Sequence, residues 1–222
     1  MTTYALRLLE DHAQPGSRFS GSLEGGHRIL YVVEGEVTVS AGQRSQKVPA
    51  NSAWYGAGSC SIHSGAEGAR LWRWELVRAP ASNEGLAAGE SVVSTRKLSH
   101  DVILDPQSKY LIRCDRVDFP LGGVAYTHTH QGPGIRCLLR GGFRVDVGGK
   151  TSVIGPGEPW FEKGPEPVCA AASEREPTSF VRVMILPATL KGKSSIRYVN
   201  PEDRDKPKLQ QYRVFLDEFM EI

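Results

Sequence analysis

His128-Thr129-His130 sets two imidazoles two residues apart. On a β-strand, side chains at i and i+2 share a face, so both rings would point the same way. The flanks read as strand. Val124-Ala125-Tyr126 precede the pair, Ile135 to Leu139 follow it, and Gln131-Gly132-Pro133-Gly134 supplies a tight turn between them. Two neutral imidazoles on one face are half of a metal site, suited to a divalent ion such as Fe, Mn, Zn, Ni or Cu. A metal there would activate water or dioxygen, or polarise a substrate carbonyl. Without a metal, the same pair would line a cavity as hydrogen-bonded polar residues. Arg136 and Arg140 lie on the next strand. Alternation puts them on one face and Cys137 and Leu139 on the other, so with the apolar set inward both arginines are expected to face solvent.

The elements that hold these residues occur twice. At an offset of 106, Ile29 to Val39 aligns with Ile135 to Val145, Trp54-Tyr55 with Trp160-Phe161, and Val48 with Ile154. With three more residues inserted, Leu71-Trp72-Arg73-Trp74 falls on Phe180-Val181-Arg182-Val183. A fixed offset across several segments reads as a duplicated domain. Short strands separated by Gly- and Pro-rich turns indicate an all-β sandwich or barrel. Trp54 and Trp160 are expected in the barrel cores, and Trp72 and Trp74 on one packed face of a strand. The expected organisation is an N-terminal barrel over 1–80, a linker over 81–95, a C-terminal barrel over 96–190 and a C-terminal arm over 191–222. The arm carries strand-like Ile196 to Val199 and Tyr212 to Leu216. It is expected to add a strand to a barrel edge, in its own chain or in a homodimer partner.

Composition narrows the function classes. The 222 residues are 40% hydrophobic and carry a net charge of +2, which calls for neither nucleic acid nor an anionic membrane as partner. Cys60, Cys114, Cys137 and Cys169 are scattered, with no Cys-x-x-Cys pair, against a zinc ribbon or a disulfide framework. The first thirty residues lack a signal-peptide pattern, and no apolar run reaches membrane-span length. A cytoplasmic protein handling a small molecule is the expectation.

From Gly122 through His128 and His130 to Gly141, the second copy resembles the first motif of the cupins. That motif runs Gly, five residues, His-x-His, three or four residues, Glu, six residues, Gly. The resemblance covers about 110–186, and the first copy extends it to about 3–77. It implies an all-β bicupin, two tandem cupin (jelly-roll β-barrel) domains, with a metal held by His128 and His130. Cupins include dioxygenases, isomerases, decarboxylases and lyases, and the fold does not choose among them. Two family ligands are absent: Gly134 stands at the Glu position and Val168 at that of the third histidine. Cys169, Glu162 and Glu166 are the replacements on offer. In the first copy the four positions hold Ser22, Glu24, Arg28 and Ile62, with His27 and His63 one residue away from two of them. That domain is expected to be metal-free. A metal-dependent enzyme and a non-catalytic sensor or storage module both satisfy this pattern.

Overall fold

The computed structural model describes residues 1–19, 26–80, 88–89 and 91–222. Ser22, Glu24 and most of the expected linker lie outside the described residues. The chain divides into two compact units, Met1–Pro106 and Gln107–Ile222. Both are β-structures. The only helical turns among the described residues are 3-10 turns at Ala188–Leu190 and Pro201–Asp203, and no helix is long and apolar enough to cross a membrane.

The first unit consists of β1 (Thr2–Ala13), β2 (His27–Ala41), β3 (Arg44–Pro49), β4 (Ser52–Ala57), β5 (Ser61–Arg78), β6 (Ala88–Gly89) and β7 (Val92–Leu104). Its strand order is β3-β2-β5-β1-β7-β6, with β4 also on β2. Leu30, Val32, Val37, Trp54, Ile62 and Leu71 belong to its core cluster. β7 pairs with β1 along its whole length. Residues 92–104 are therefore a strand of the first sheet, where the sequence suggests a linker and the start of the second barrel.

The second unit has two five-stranded sheets. One holds β8 (Tyr110–Phe119), β10 (Gly134–Arg140), β13 (Pro159–Glu162), β15 (Thr178–Pro187) and β17 (Gln211–Met220), in the order β13-β10-β15-β8-β17. The other holds β9 (Val124–His130), β11 (Phe143–Val147), β12 (Lys150–Ile154), β14 (Val168–Ala172) and β16 (Ile196–Tyr198), in the order β12-β11-β14-β9-β16. Phe119, Phe143, Trp160 and Phe180 pack together in its core, with centroids 5.1 to 6.0 Å apart. Aromatic rings bury the most area per residue and fill a small barrel efficiently. The C-terminal arm joins both sheets of its own unit, β16 beside β9 and β17 beside β8.

The duplication holds at the level of register. Ile29 pairs with Tyr55 and Trp74, while Ile135 pairs with Phe161 and Val183. Leu6 pairs with Leu76, while Ile112 pairs with Ile185. The offsets are those seen in the sequence. The repeat also runs further than the sequence shows, because β7 and β17 each return to the outer edge of the first strand of their unit.

Candidate functional site

A bulge in β9 aims the histidines. Val168 on β14 pairs with His128 and Ala170 with Ala125, so Tyr126 and Thr127 together oppose Cys169. An extra residue of this kind resets which face later side chains occupy. Ala125 lies in the core cluster, and His128 and His130, beyond the bulge, are buried at 5% and 3% exposure. The bulge also orients the first ring, since His128 Nδ1 lies 2.7 Å from the Tyr126 carbonyl oxygen. A carbonyl only accepts, so Nδ1 carries the proton and Nε2 the lone pair. His130 Nε2 lies 3.2 Å from that atom and donates to it. His130 Nδ1 is then left to accept from Ser195 Oγ at 3.5 Å. Ser195, His130, His128 and the Tyr126 carbonyl thus form one directional chain of hydrogen bonds, complete with both rings neutral.

The opposite sheet supplies charge. Glu162 ends β13 directly across from Gly134. Its Oε1 accepts from Trp160 Nε1 at 2.9 Å, and its Oε2 is 3.2 Å from His130 Nε2 and 2.7 Å from Arg136 Nη2. The Arg136–Glu162 contact is an ion pair not aligned as a hydrogen bond, and neither atom has a hydrogen-bond partner among the described residues. Arg136 Nη1 donates to the Gly134 carbonyl at 2.6 Å. Next to it, Arg182 pairs with Arg136 across β10–β15 and with Asp115 across β15–β8. It holds Asp115 with two hydrogen bonds, Nε to Oδ1 at 2.6 Å and Nη2 to Oδ2 at 3.1 Å.

Burial sets the protonation states. It pushes His130 down to about 3, with Arg136 adding to the effect and Glu162 opposing it. Burial lowers His128 too, against the Tyr126 carbonyl. It would raise Glu162, but Arg136 and His130 outweigh it and hold that carboxyl below its usual range. Arg136 drops to about 10 through burial and the Arg182 charge, against the pull of Glu162, and stays charged near neutrality.

The Arg136 expectation is therefore corrected. Arg136 is 1% exposed and shares its face of β10 with the core residue Leu138. Arg140 is exposed. The register of β10 against β15 slips between Leu138 and Arg140, so the two arginines do not share a face. Arg182 carries a signal in the sequence, since it aligns with Arg73, an arginine recurring within an apolar strand in both copies; Asp115 carries none.

The donors do not make a metal centre of the family's kind. Two ligands at about 2.0–2.2 Å from one ion lie about 3 Å apart, which the His128–His130 separation would suit. Glu162 Oε2 comes within 3.2 Å of His130 Nε2, yet no group of three His, Cys, Asp or Glu side chains among the described residues is placed to hold an ion. Glu162 is engaged by Arg136. Cys169 points away from the core face that carries Val168 and Ala170. Glu166 lines a separate recess of about 540 Å³ with Lys150 and Trp160. In the first unit, His27 Nδ1 is 2.8 Å from the Tyr55 hydroxyl, and His63 sits on β5 opposite Thr38.

A cavity of about 430 Å³ lies beside the site, lined by Arg182, Asp115, Lys193, Ser194, Ser195 and Tyr212 among others. Ser195 belongs to both the cavity wall and the histidine chain.

No family model matches the sequence, and no curated protein matches it. Solved structures do. AerE from Microcystis aeruginosa is 14% identical, with a TM-score of 0.57 over 84% of this chain and 88% of that one. A mutant of Bacillus subtilis oxalate decarboxylase is 12% identical, with a TM-score of 0.66 over 90% of this chain and 73% of that one. At these identities the likeness shows the fold: this chain is all-β with the cupin jelly-roll architecture.

Proposed function

We propose that the second unit binds a small organic acid in the 430 Å³ cavity, as a ligand-binding module of a bicupin. One observation carries this reading. Arg182 lines the cavity and uses Nε and Nη2 on Asp115, which leaves its Nη1 edge as a charged donor. Lys193, Ser194 and Ser195 add donors on the same wall. Guanidinium and carboxylate match in charge and planar geometry, and the volume suits a small ligand. Oxalate decarboxylase, one of the similar structures, acts by its name on a small dicarboxylate. Binding is favoured over acid–base chemistry because His130, depressed to about 3, is a poor base near neutrality.

Calorimetry with acetate, oxalate and succinate tests this, with their amides as controls. Acids should bind and amides should not. Lys193→Ala and Ser195→Ala should each weaken binding about tenfold, a loss of about 1.4 kcal/mol. Absence of heat and of any thermal shift with millimolar acids would remove the reading. A second reading, a metal-dependent enzyme, is favoured by the two imidazole Nε2 atoms lying 3.2 Å apart. Stoichiometric uptake of a divalent ion by the unmodified chain, lost in His128→Ala with His130→Ala, would select it.

A further inference from the structure

We infer that Arg136 takes the place of the metal ion in the second unit, so that a fixed guanidinium carries the positive charge facing Glu162. The family's two missing ligand positions have not drifted away from the site. Gly134 pairs with Glu162 across β10–β13, and Val168 pairs with His128 across β14–β9. Val168 thus borders His128 and Gly134 borders Glu162, and neither position carries a ligating side chain. A carboxylate is still present, supplied by Glu162 from the neighbouring strand, and its charge is met by Arg136 at 2.7 Å.

The glycine leaves room for Val183 and Met184 of β15 and, less tightly, for the arginine. A Cβ at position 134 would lie 2.5 Å from the Val183 carbonyl oxygen and 3.1 Å from Arg136 Nη1. The bare backbone there admits the guanidinium, which donates back to the Gly134 carbonyl. The charges then balance without an ion: Arg136 with Glu162, and Arg182 with Asp115. A dication beside the histidines would face a buried guanidinium in a medium that screens it poorly. The imidazoles do not require one, because their nitrogens are already satisfied by the Ser195-to-Tyr126 chain. The first unit repeats the exchange in plainer form. The residue at offset 106 from Gly134 is Arg28, 2% exposed and 3.0 Å from Glu75.

The test is metal uptake, read by elemental analysis and calorimetry with Mn, Fe, Zn, Ni and Cu ions on the whole chain. It does not depend on the organic-acid reading, since it needs no ligand. The unmodified chain should take up no stoichiometric ion. Uptake lost in His128→Ala with His130→Ala would overturn the inference, whereas uptake that survives those changes lies elsewhere and leaves it standing. Arg136→Gln with Val168→His should gain one ion per chain, and Val168→His alone should not. A folded double variant, checked by circular dichroism, that gains none would overturn the role given to the arginine. If the double variant does not fold, uptake by the unmodified chain decides.

Discussion

In the first unit, Arg73 reaches Asp11 with two hydrogen bonds at 2.7 and 3.0 Å and touches Glu75, which also meets Arg7 and Arg28. All five side chains are buried. In the second unit, Arg182 holds Asp115 in the same two-bonded way, but Glu75 and Arg28 are replaced at the equivalent places by Met184 and Gly134. One duplicated frame thus carries two solutions to a charged interior. The first closes on itself, with three arginines around two acids. The second divides its charge into two separate pairs, which admits a histidine chain and a cavity. Under the proposed function the first unit is the scaffold and the second the binding site, where Arg182 lines the cavity.

The largest expected effect tests whether these clusters are structural. Arg73→Met leaves Asp11 and Glu75 buried without their main partner. Breaking one side of a buried pair costs about 3–5 kcal/mol, so denaturant titration should show the first unit losing most of its stability. Arg182→Met should cost the second unit a similar amount. Arg182→Met with Asp115→Leu should recover much of it, because a buried pair replaced by apolar residues is often neutral. If the double variant is no better than the single, the pair contributes more than charge balance.

Acid should separate the two units by onset. His130 is depressed in the fold from 6.5 to about 3. A depressed group contributes stability that is present above its unfolded value and lost as pH falls. Below about 6.5 the unfolded chain takes up a proton that the second unit excludes, and by pH 5 this costs about 2 kcal/mol. In the first unit two carboxyls are depressed. Burial would raise Glu10, but Lys97 and Trp72 hold it down. Burial would raise Glu75 too, but Arg73, Arg28 and Arg7 hold it below its ordinary 4.5. Their contribution is lost only as pH falls below about 4.5. Unfolding followed from pH 7.5 to 4 should show the second unit weakening first, and His130→Gln should remove much of that early loss. Equal onsets in both units would contradict the burial argument.

What the sequence made legible was the repeated and apolar part of the structure. The offset of 106, the core tryptophans and the bulk of the strands follow from residues whose burial dictates their spacing. β14 is not legible in the sequence because Val168-Cys169-Ala170-Ala171-Ala172 offers small side chains and little alternation. β7 is not legible as one strand, and falls partly in the expected linker and partly in the expected second barrel, because Thr95, Arg96, Ser99, His100 and Asp101 are polar and exposed. The site was half legible. His-x-His named the strand and the face, but the bulge that turns it and the arginines that neutralise it depend on neighbours far apart in sequence.

The smallest expected effect is the most direct check on strand geometry. Arg136 and Arg140 stand four residues apart on β10, where strict alternation would treat them alike. The slip between Leu138 and Arg140 separates them. Arg136 is buried against Glu162, while Arg140 is exposed, with Nε donating to Ser179 Oγ at 3.1 Å. Arg140→Gln removes one hydrogen bond at the surface and should change stability by no more than about 0.5 kcal/mol. Arg136→Gln strands a buried carboxylate and should cost about 3–5 kcal/mol. Measured side by side in urea, the two should differ several-fold. Comparable losses would mean that β10 runs without its slip and that both arginines lie on one face.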